Sequence, residues 1–456
     1  MLETIFKNTS KYRNERTPDE QKSKGQFFTS LNTVKIMGEW YQPASRKVRI
    51  LDPGAGNGSL AAAVVEHLVD ENLCDDIDVT YVENDDKVLP VLKETIRLIE
   101  AYCQAHGVNC RINIIEANYI LEEIRGSFDI VICNPPYKKI RKDSPESVKM
   151  EKYVHGQPNI YALFMAKSVE LLEEKGAFIF ITPRSWTSGN YFSVIRAFLS
   201  DNLSFEKIHI FKDRDKSFSG ETVLQETMIL FATKQKSQTD NIEISISRDD
   251  LFDDVDIFAV KAVNIKNAGK ERYLFIPSNT EEAKLIGEMN ALTDTFSSLG
   301  YEFKTGPVVE FRNREMISSS KKPDFVPMYR SLNITDEDLV FPAATAKAQY
   351  VSAAATNLLI KNENTVLVRR LSAKEDNKRI QSCIYYRQGE NPFISVENHV
   401  NYAVRKDGKP LSSDEVEWIH SLLSSREYDT FFRLLNGSTQ VNASELNYLP
   451  VRSMVV

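Results

Sequence analysis

The chain has 456 residues, about three times the length of a usual single domain, so two or more packed units are expected. Hydrophobic residues make up 42% and charged residues 27%, a globular composition with enough apolar surface for a sizeable core. Lys plus Arg total 57 against 64 Asp plus Glu, and a net charge of −7 excludes a broadly basic coat for nucleic acid, though not a local basic cleft.

No window approaches the roughly 18 apolar residues that a membrane span needs, and Met1 to Gly25 is polar, without a secretory apolar core. Cys74, Cys103, Cys110, Cys133 and Cys383 are scattered, with no CxxC pair. A reduced, cytoplasmic protein is the simplest reading. Cys103, His106 and Cys110 lack a fourth ligand nearby, so no metal site is expected.

In chain order, short apolar runs without alternation recur at Val48–Leu51, Val79–Val82, Ile112–Ile115, Phe128–Cys133 and Ala177–Ile181. Such runs suit parallel strands buried on both faces. Between them lie amphipathic stretches at Ser59–Val69, Val88–Ala105 and Ile160–Leu172. The alternation predicts a doubly wound, mostly parallel α/β domain. It closes with Met228–Ala232, and the polar segment Thr233–Asn241 reads as a linker. Domains are therefore expected at 1–240 and 241–456. The second carries shorter runs (Ile242–Ile246, Val366–Val368, Ile384–Tyr386) and a helical stretch near Glu415–Leu423, which predicts a mixed α+β unit.

The first predicted strand runs into Asp52-Pro53-Gly54-Ala55-Gly56-Asn57-Gly58-Ser59 and then a helix. Glycines let the backbone approach a ligand at a strand's carboxyl end, beside a helix N-terminus. The spacing is G-x-G-x-G rather than the dinucleotide G-x-G-x-x-G. The next strand ends in Glu83, where an acid can accept from both hydroxyls of a ribose. The Asp52 carboxylate suits a cationic or amino-bearing ligand rather than phosphates. A plain tight turn with an unrelated acid is the competing reading.

Strand Phe128–Cys133 runs into Asn134-Pro135-Pro136-Tyr137. Consecutive prolines fix a rigid extended segment. The Asn134 side-chain oxygen and the Pro135 carbonyl can then face one point, which suits a planar NH2 group. Tyr137 adds an aromatic plate. Lys138, Lys139, Arg141 and Lys142 follow at once, and beside such a pocket phosphate contact is the favoured reading over a solvated loop.

These residues carry a family resemblance. The chain resembles the gamma group of adenine-N6 DNA methyltransferases, the modification enzymes of bacterial type II restriction–modification systems. The motif order matches: Lys24-Gly25-Gln26-Phe27-Phe28-Thr29, the Asp52–Gly58 turn, Glu83, then Asn134–Tyr137. The resemblance covers residues 20–235 best. It extends more loosely to the C-terminal half through Val396-Glu397-Asn398-His399 and Thr439-Gln440-Val441-Asn442. It implies a Rossmann-like methyltransferase sheet followed by a DNA target-recognition domain.

The resemblance further implies S-adenosylmethionine as cofactor, with Asp52, Gly54 and Gly56 at its methionine part and Glu83 at its ribose. Phe27 and Thr29 would close over the methionine carboxylate. The family carries an Asp after a further strand as acceptor for the cofactor adenine; this chain has Asn118, which can accept through its carbonyl, with Tyr119 as an apolar wall or an ordinary strand-end aromatic. Asn134, Pro135 and Tyr137 would act on a flipped-out adenine, with Phe218 on its opposite face or, alternatively, anchored in the core. Double-stranded DNA is the implied partner and a cognate restriction endonuclease a possible one; a monomer is sufficient.

Arg312, Arg314, Arg330, Arg369, Arg370, Lys378 and Arg379 are scattered cations of the second half, and spacing does not say which face a groove. Asn398, Gln440 and Asn442 suit either DNA contact or turn and capping roles. Methylation of a protein glutamine amide or of an RNA base are the alternative activities. A DNA-binding specificity subunit with a decayed methyltransferase fold is opposed by the intact motifs. A fused nuclease lacks its motif, because Glu20-Gln21-Lys22 follows Pro18-Asp19 with no proper gap.

Overall fold

The computed structural model describes residues 1–13, 29–212, 227–265, 272–335, 338–345, 347–372, 376–435 and 440–453. Phe27 and Phe218 lie outside them, as does most of the Lys24–Thr29 segment. The chain divides into two compact units, Met1–Thr280 and Glu281–Val456.

Helices α1 (Leu2–Arg13) and α2 (Leu31–Glu39) open the first unit. The order is then β1 (Lys47–Pro53), α3 (Ser59–Asp70), β2 (Asp76–Val82), α4 (Leu89–Ala105), β3 (Asn109–Ile115), β4 (Phe128–Cys133), α5 (Pro145–Lys149), α6 (Ile160–Leu171) and β5 (Leu172–Pro183). Next come α7 (Ser193–Asn202), β6 (Leu203–Phe211), β7 (Thr227–Lys234), β8 (Asn241–Ser247) and β9 (Val255–Lys261). All nine strands form one sheet in the order β3-β2-β1-β4-β5-β7-β6-β8-β9. β1 to β5 pair in parallel, while β7 runs antiparallel to both β5 and β6. β8 is parallel to β6, and β9 turns back along β8.

The apolar runs of the central strands have the expected cause. Alternate residues Val48 and Ile50, Ile130 and Ile132, and Ile179 and Ile181 join a core cluster with residues of α1 to α4. Neighbouring Leu51, Val131, Phe178 and Phe180, on the other face, are buried as well, and Arg49 on that face pairs with Asp129. The central strands β1, β4 and β5, covered on both faces, show little polar alternation, whereas β2 and the edge strand β3 alternate, contrary to expectation, and the exposed Arg111 of β3 pairs with Asp76 and Asp78 of β2. The chain order after β1 therefore places successive strand ends along one carboxyl edge, with Pro53 level with Val82, and Val82 level with Ile115.

The structural boundary at Thr280 lies beyond the predicted limit of the first domain at 240. Thr233 and Lys234 complete β7, and Ile242–Ile246, read as the start of the second domain, is the body of β8. Its partner is β6, a strand the apolar-run reading omitted. The buried His209 ties the two together: its Nδ1 is 2.8 Å from the Ser245 hydroxyl and its Nε2 3.0 Å from that of Ser247.

The second unit is mixed, as expected. Tyr301–Thr305, Val400–Arg405, Thr365–Arg369 and Ser382–Tyr385 form an antiparallel four-stranded sheet in that order. Ile317–Ser318, Tyr350–Ser352, Phe325–Tyr329, Phe393–Val396 and Ile360–Lys361 form a five-stranded one. The predicted helix is present as Ser413–Ser424, opened by a Ser412–Glu415 capping box.

Candidate active site

The glycine turn is built by left-handed backbone. Gly54, Gly56 and Gly58 have φ of 69°, 55° and 76°, values that L side chains rarely adopt. The turn is strapped to the end of β2, because the Gly54 and Ala55 amides donate to the Val82 carbonyl at 2.8 and 3.1 Å. A Cβ at Gly54 would stand 3.3 Å from the Phe164 ring of α6, so the close approach needs glycine. Asn57 locks the turn from behind, donating to the Thr9 hydroxyl at 3.0 Å and accepting from the Ser59 amide.

Glu83 begins where β2 ends. Its Oε2 accepts from the Gly56 amide at 2.8 Å, and its Oε1 accepts from the Asn84 and Asp85 amides at 2.8 Å each. Burial raises its carboxyl pKa against the opposing pull of these donors. Oε2 keeps one lone-pair direction for a hydroxyl. Asp52 is deeper: it is 1% exposed, and its Oδ2 accepts from the Ala61 amide in the first turn of α3 at 3.2 Å. Its Oδ1 has no hydrogen-bond partner among the described residues, and burial pushes its pKa well up.

Next to the turn, the Cys133 thiol contacts the Pro53 carbonyl at 3.0 Å, which sets the end of β4 beside the end of β1. Asn134 follows directly. Its Nδ2 donates to the Thr29 hydroxyl at 3.0 Å, and its Oδ1 accepts from the Tyr137 hydroxyl at 2.9 Å. That hydroxyl also lies 3.1 Å from the Ile181 carbonyl, so its single hydrogen has a second acceptor. The Tyr137 ring packs edge-on against Tyr161 at 6.2 Å, and Tyr161 stacks with Phe192.

Between these groups lies a cavity of about 340 Å³. Thr29, Gly54, Gly56, Glu83, Asn118, Tyr119, Asn134 and Lys138 all line it. The first-unit fold thus brings together predicted residues that are far apart in sequence. Asp52 lies beneath the turn instead of in the wall, and Pro136 rather than Tyr137 forms the wall beside Asn134. Pro135 is buried. Lys139, Arg141 and Lys142 are exposed, and Arg141 is paired with Asp143 at 2.7 Å. Tyr119 is held by its hydroxyl 2.9 Å from Ser168, with its ring tilted against Phe164 at 4.8 Å.

Sequence reasoning missed Ile140, Glu146, Ile160 and Phe164, all of which line the cavity. Phe164 sits in α6, predicted to be amphipathic but buried on every side from Tyr161 to Val169, so nothing marks it off from core. Glu146 follows the basic run in a polar stretch where an acid is ordinary. It also missed Lys167, whose buried ammonium donates to the carbonyls of Tyr119 and Glu122 and so holds the loop after β3.

In the second unit, Arg330 and Arg379 are buried and cannot face a groove. Arg330 reaches Glu397 at 3.1 Å, which also accepts from the Ser331 amide, so the Val396–His399 segment carries a buried structural pair. Asn442 opens a short helix, its amide donating to Glu445 at 2.9 Å. Gln440 and Asn398 both accept from Arg370, the latter through its backbone carbonyl. Arg312, Arg314 and Lys378 are exposed.

The site fits S-adenosylmethionine in its own features. A left-handed glycine turn in which a Cβ at Gly54 would crowd Phe164, a buried acid at the next strand end and a half-open cavity with apolar and polar walls match a zwitterion linked to a nucleoside. Residues 64–218 match the family described as Eco57I restriction-modification methylase. The chain is 32% identical to type II methyltransferase M.PstI of Providencia stuartii, across 93% of this chain and 86% of that protein. It is 30% identical to type II methyltransferase M.BsuBI of Bacillus subtilis, across 95% and 88%. A solved nuclease-deletion mutant of the type ISP restriction-modification enzyme LlaGI, in complex with a DNA substrate mimic, shares the fold. There the TM-score is 0.52 and the identity 11%, covering 91% of this chain and 45% of that one. By near full-length similarity and by the cavity it builds, the chain belongs to the type II methyltransferases of restriction–modification systems, with S-adenosylmethionine as cofactor.

Proposed function

We propose that the protein methylates the N6 amino group of an adenine flipped out of double-stranded DNA, protecting a specific sequence from a cognate nuclease. The observation that carries this reading is Asn134: an amide oxygen beside the cofactor cavity, oriented by Thr29 through the opposite end of the amide. An aromatic amine is a poor nucleophile because its lone pair is delocalised into the ring. Two acceptors, Asn134 Oδ1 and the Pro135 carbonyl, draw on both N–H groups and favour a pyramidal nitrogen with a localised pair. When Tyr137 turns its hydrogen to the Ile181 carbonyl, Asn134 Oδ1 is released for the substrate.

S-adenosylmethionine supplies an electrophilic methyl on sulfur. The protein's part is placement of the amine in line with that methyl, largely a positioning effect. The methylated ammonium is acidic and sheds its proton afterwards, so no shifted general base is needed. Flipping the base costs a few kcal/mol. Stacking on an aromatic returns about 1–3 kcal/mol, and the Tyr137 ring is the side chain for that role. Phe218, on the opposite face in this reading, lies outside the described residues. Phe27 and Thr29 would close over the cofactor carboxylate. Lys138, Lys139, Arg141 and Lys142 suit phosphates, and the second unit suits target recognition.

The test is sequencing that detects N6-methyladenine in DNA from a methylation-free host expressing this chain. A single modified sequence context is the expected result. Methylation of cytosine only, or of protein or RNA with unmodified DNA, would exclude the reading.

A further inference from the structure

One edge of the cavity has a role that neither the glycine turn nor Asn134 fills. Asn118 Oδ1 is engaged locally, accepting from the Ile120 amide at 3.0 Å and the Leu121 amide at 3.4 Å. This fixes the amide so that Nδ2 points away from the loop, where it donates to Glu146 Oε1 at 2.9 Å. Both residues line the cavity, together with the apolar side chains of Ile140, Ile160 and Phe164. Glu146 is held in register by its own short helix. Ser144 caps that helix at the Ser147 amide, and the Ser147 hydroxyl donates to the Arg141 carbonyl at 2.8 Å.

An amide donor beside a carboxylate acceptor, at the rim of an apolar slot, complements a flat heterocycle with a ring-nitrogen acceptor next to an exocyclic amine. The adenine ring of the cofactor has that edge. Asn118 Nδ2 keeps a second hydrogen, and Glu146 a second oxygen. With Asn118 Oδ1 committed to backbone, the acceptor for the amine has to come from Glu146. A carboxylate also makes the stronger bond, because the hydrogen bond is charge-assisted. We propose that Glu146 accepts the hydrogen bond from the adenine amino group of S-adenosylmethionine, and that Asn118 is the positioning residue that holds it there.

The proposal rests on the cavity being the cofactor site, and its test separates the two. S-adenosylhomocysteine and its 6-deamino analogue, with hydrogen in place of the amine, are titrated into the full chain by calorimetry. The wild-type protein is expected to prefer the amine-bearing ligand on the order of 10- to 100-fold. Glu146→Ala is expected to bring the ratio of the two affinities close to one, and Asn118→Ala to lower it less. A general loss of folding would weaken both ligands alike and leave their ratio unmoved, so the ratio reads the contact itself. An unchanged ratio in Glu146→Ala overturns the proposal. No binding of S-adenosylhomocysteine to the wild-type chain, with or without DNA, overturns the cofactor cavity instead.

Discussion

In the proposed reaction Asn134 and Glu83 divide the work at the site, and their substitutions should fail in different ways. On that proposal Asn134→Ala removes an acceptor that matters when the amine becomes nucleophilic, so the loss should belong to the chemical step. A fall of about 10²–10³-fold in single-turnover rate is expected, the size seen when one preorganised polar group is removed. Cofactor affinity should stay near wild type, and a wild-type rate would contradict the role. Glu83→Ala strands the Gly56, Asn84 and Asp85 amides, whose acceptor it is. It should cost about 1–3 kcal/mol in denaturant unfolding and weaken cofactor binding in calorimetry. Unchanged affinity would remove Glu83 from the site. At Gly54 the expected cost of an alanine is about 1–2 kcal/mol from the left-handed φ alone, before the Phe164 contact is counted.

At the scale of elements, β6 and β8 carry a pH dependence through His209. The Ser247 hydroxyl donates to the Asp249 carbonyl at 2.7 Å, so it accepts from Nε2–H, and Nδ1 accepts from Ser245. The ring is therefore held neutral, and burial pushes its pKa down to about 4 from 6.5. Between pH 6.5 and about 4 the unfolded chain takes up a proton that the folded one refuses, so stability falls as pH falls through that window. The contribution is about 3 kcal/mol across it. Denaturant titrations of wild type and His209→Gln at pH 7 and near pH 4 should show a smaller acid loss in the variant. Equal losses would mean the ring protonates without strain.

For the whole molecule, the boundary at Thr280 decides how the chain can be cut. A hybrid that takes its C-terminal part from a relative with another target, joined after residue 280, keeps β8 and β9 on the sheet. It should melt cooperatively and methylate the relative's sequence with the same base chemistry as this protein. A junction at 240 strips the parallel partner from β6 and exposes a strand edge, so that hybrid should be insoluble or lower melting. A folded, active hybrid joined at 280 that kept the original target sequence would refute recognition by the second unit.

Local pattern alone was enough for the strands β1 to β5, the glycine turn and the strand-end positions of Glu83 and Asn134. Each of these is a short-range matter: short apolar-rich runs bounded by turns mean strands, and glycines mark left-handed backbone. The same pattern could not separate a β-strand that extends a sheet from one that starts a new unit, because Ile242–Ile246 reads alike in both; only pairing with β6 decided it. Nor could it tell a wall residue from a core residue in Phe164, or see that Asn118 turns its oxygen to its own loop and its nitrogen to Glu146. Those outcomes depend on which groups meet across tens of residues, and hydrogen-bond partners are set by position in space, not by residue type.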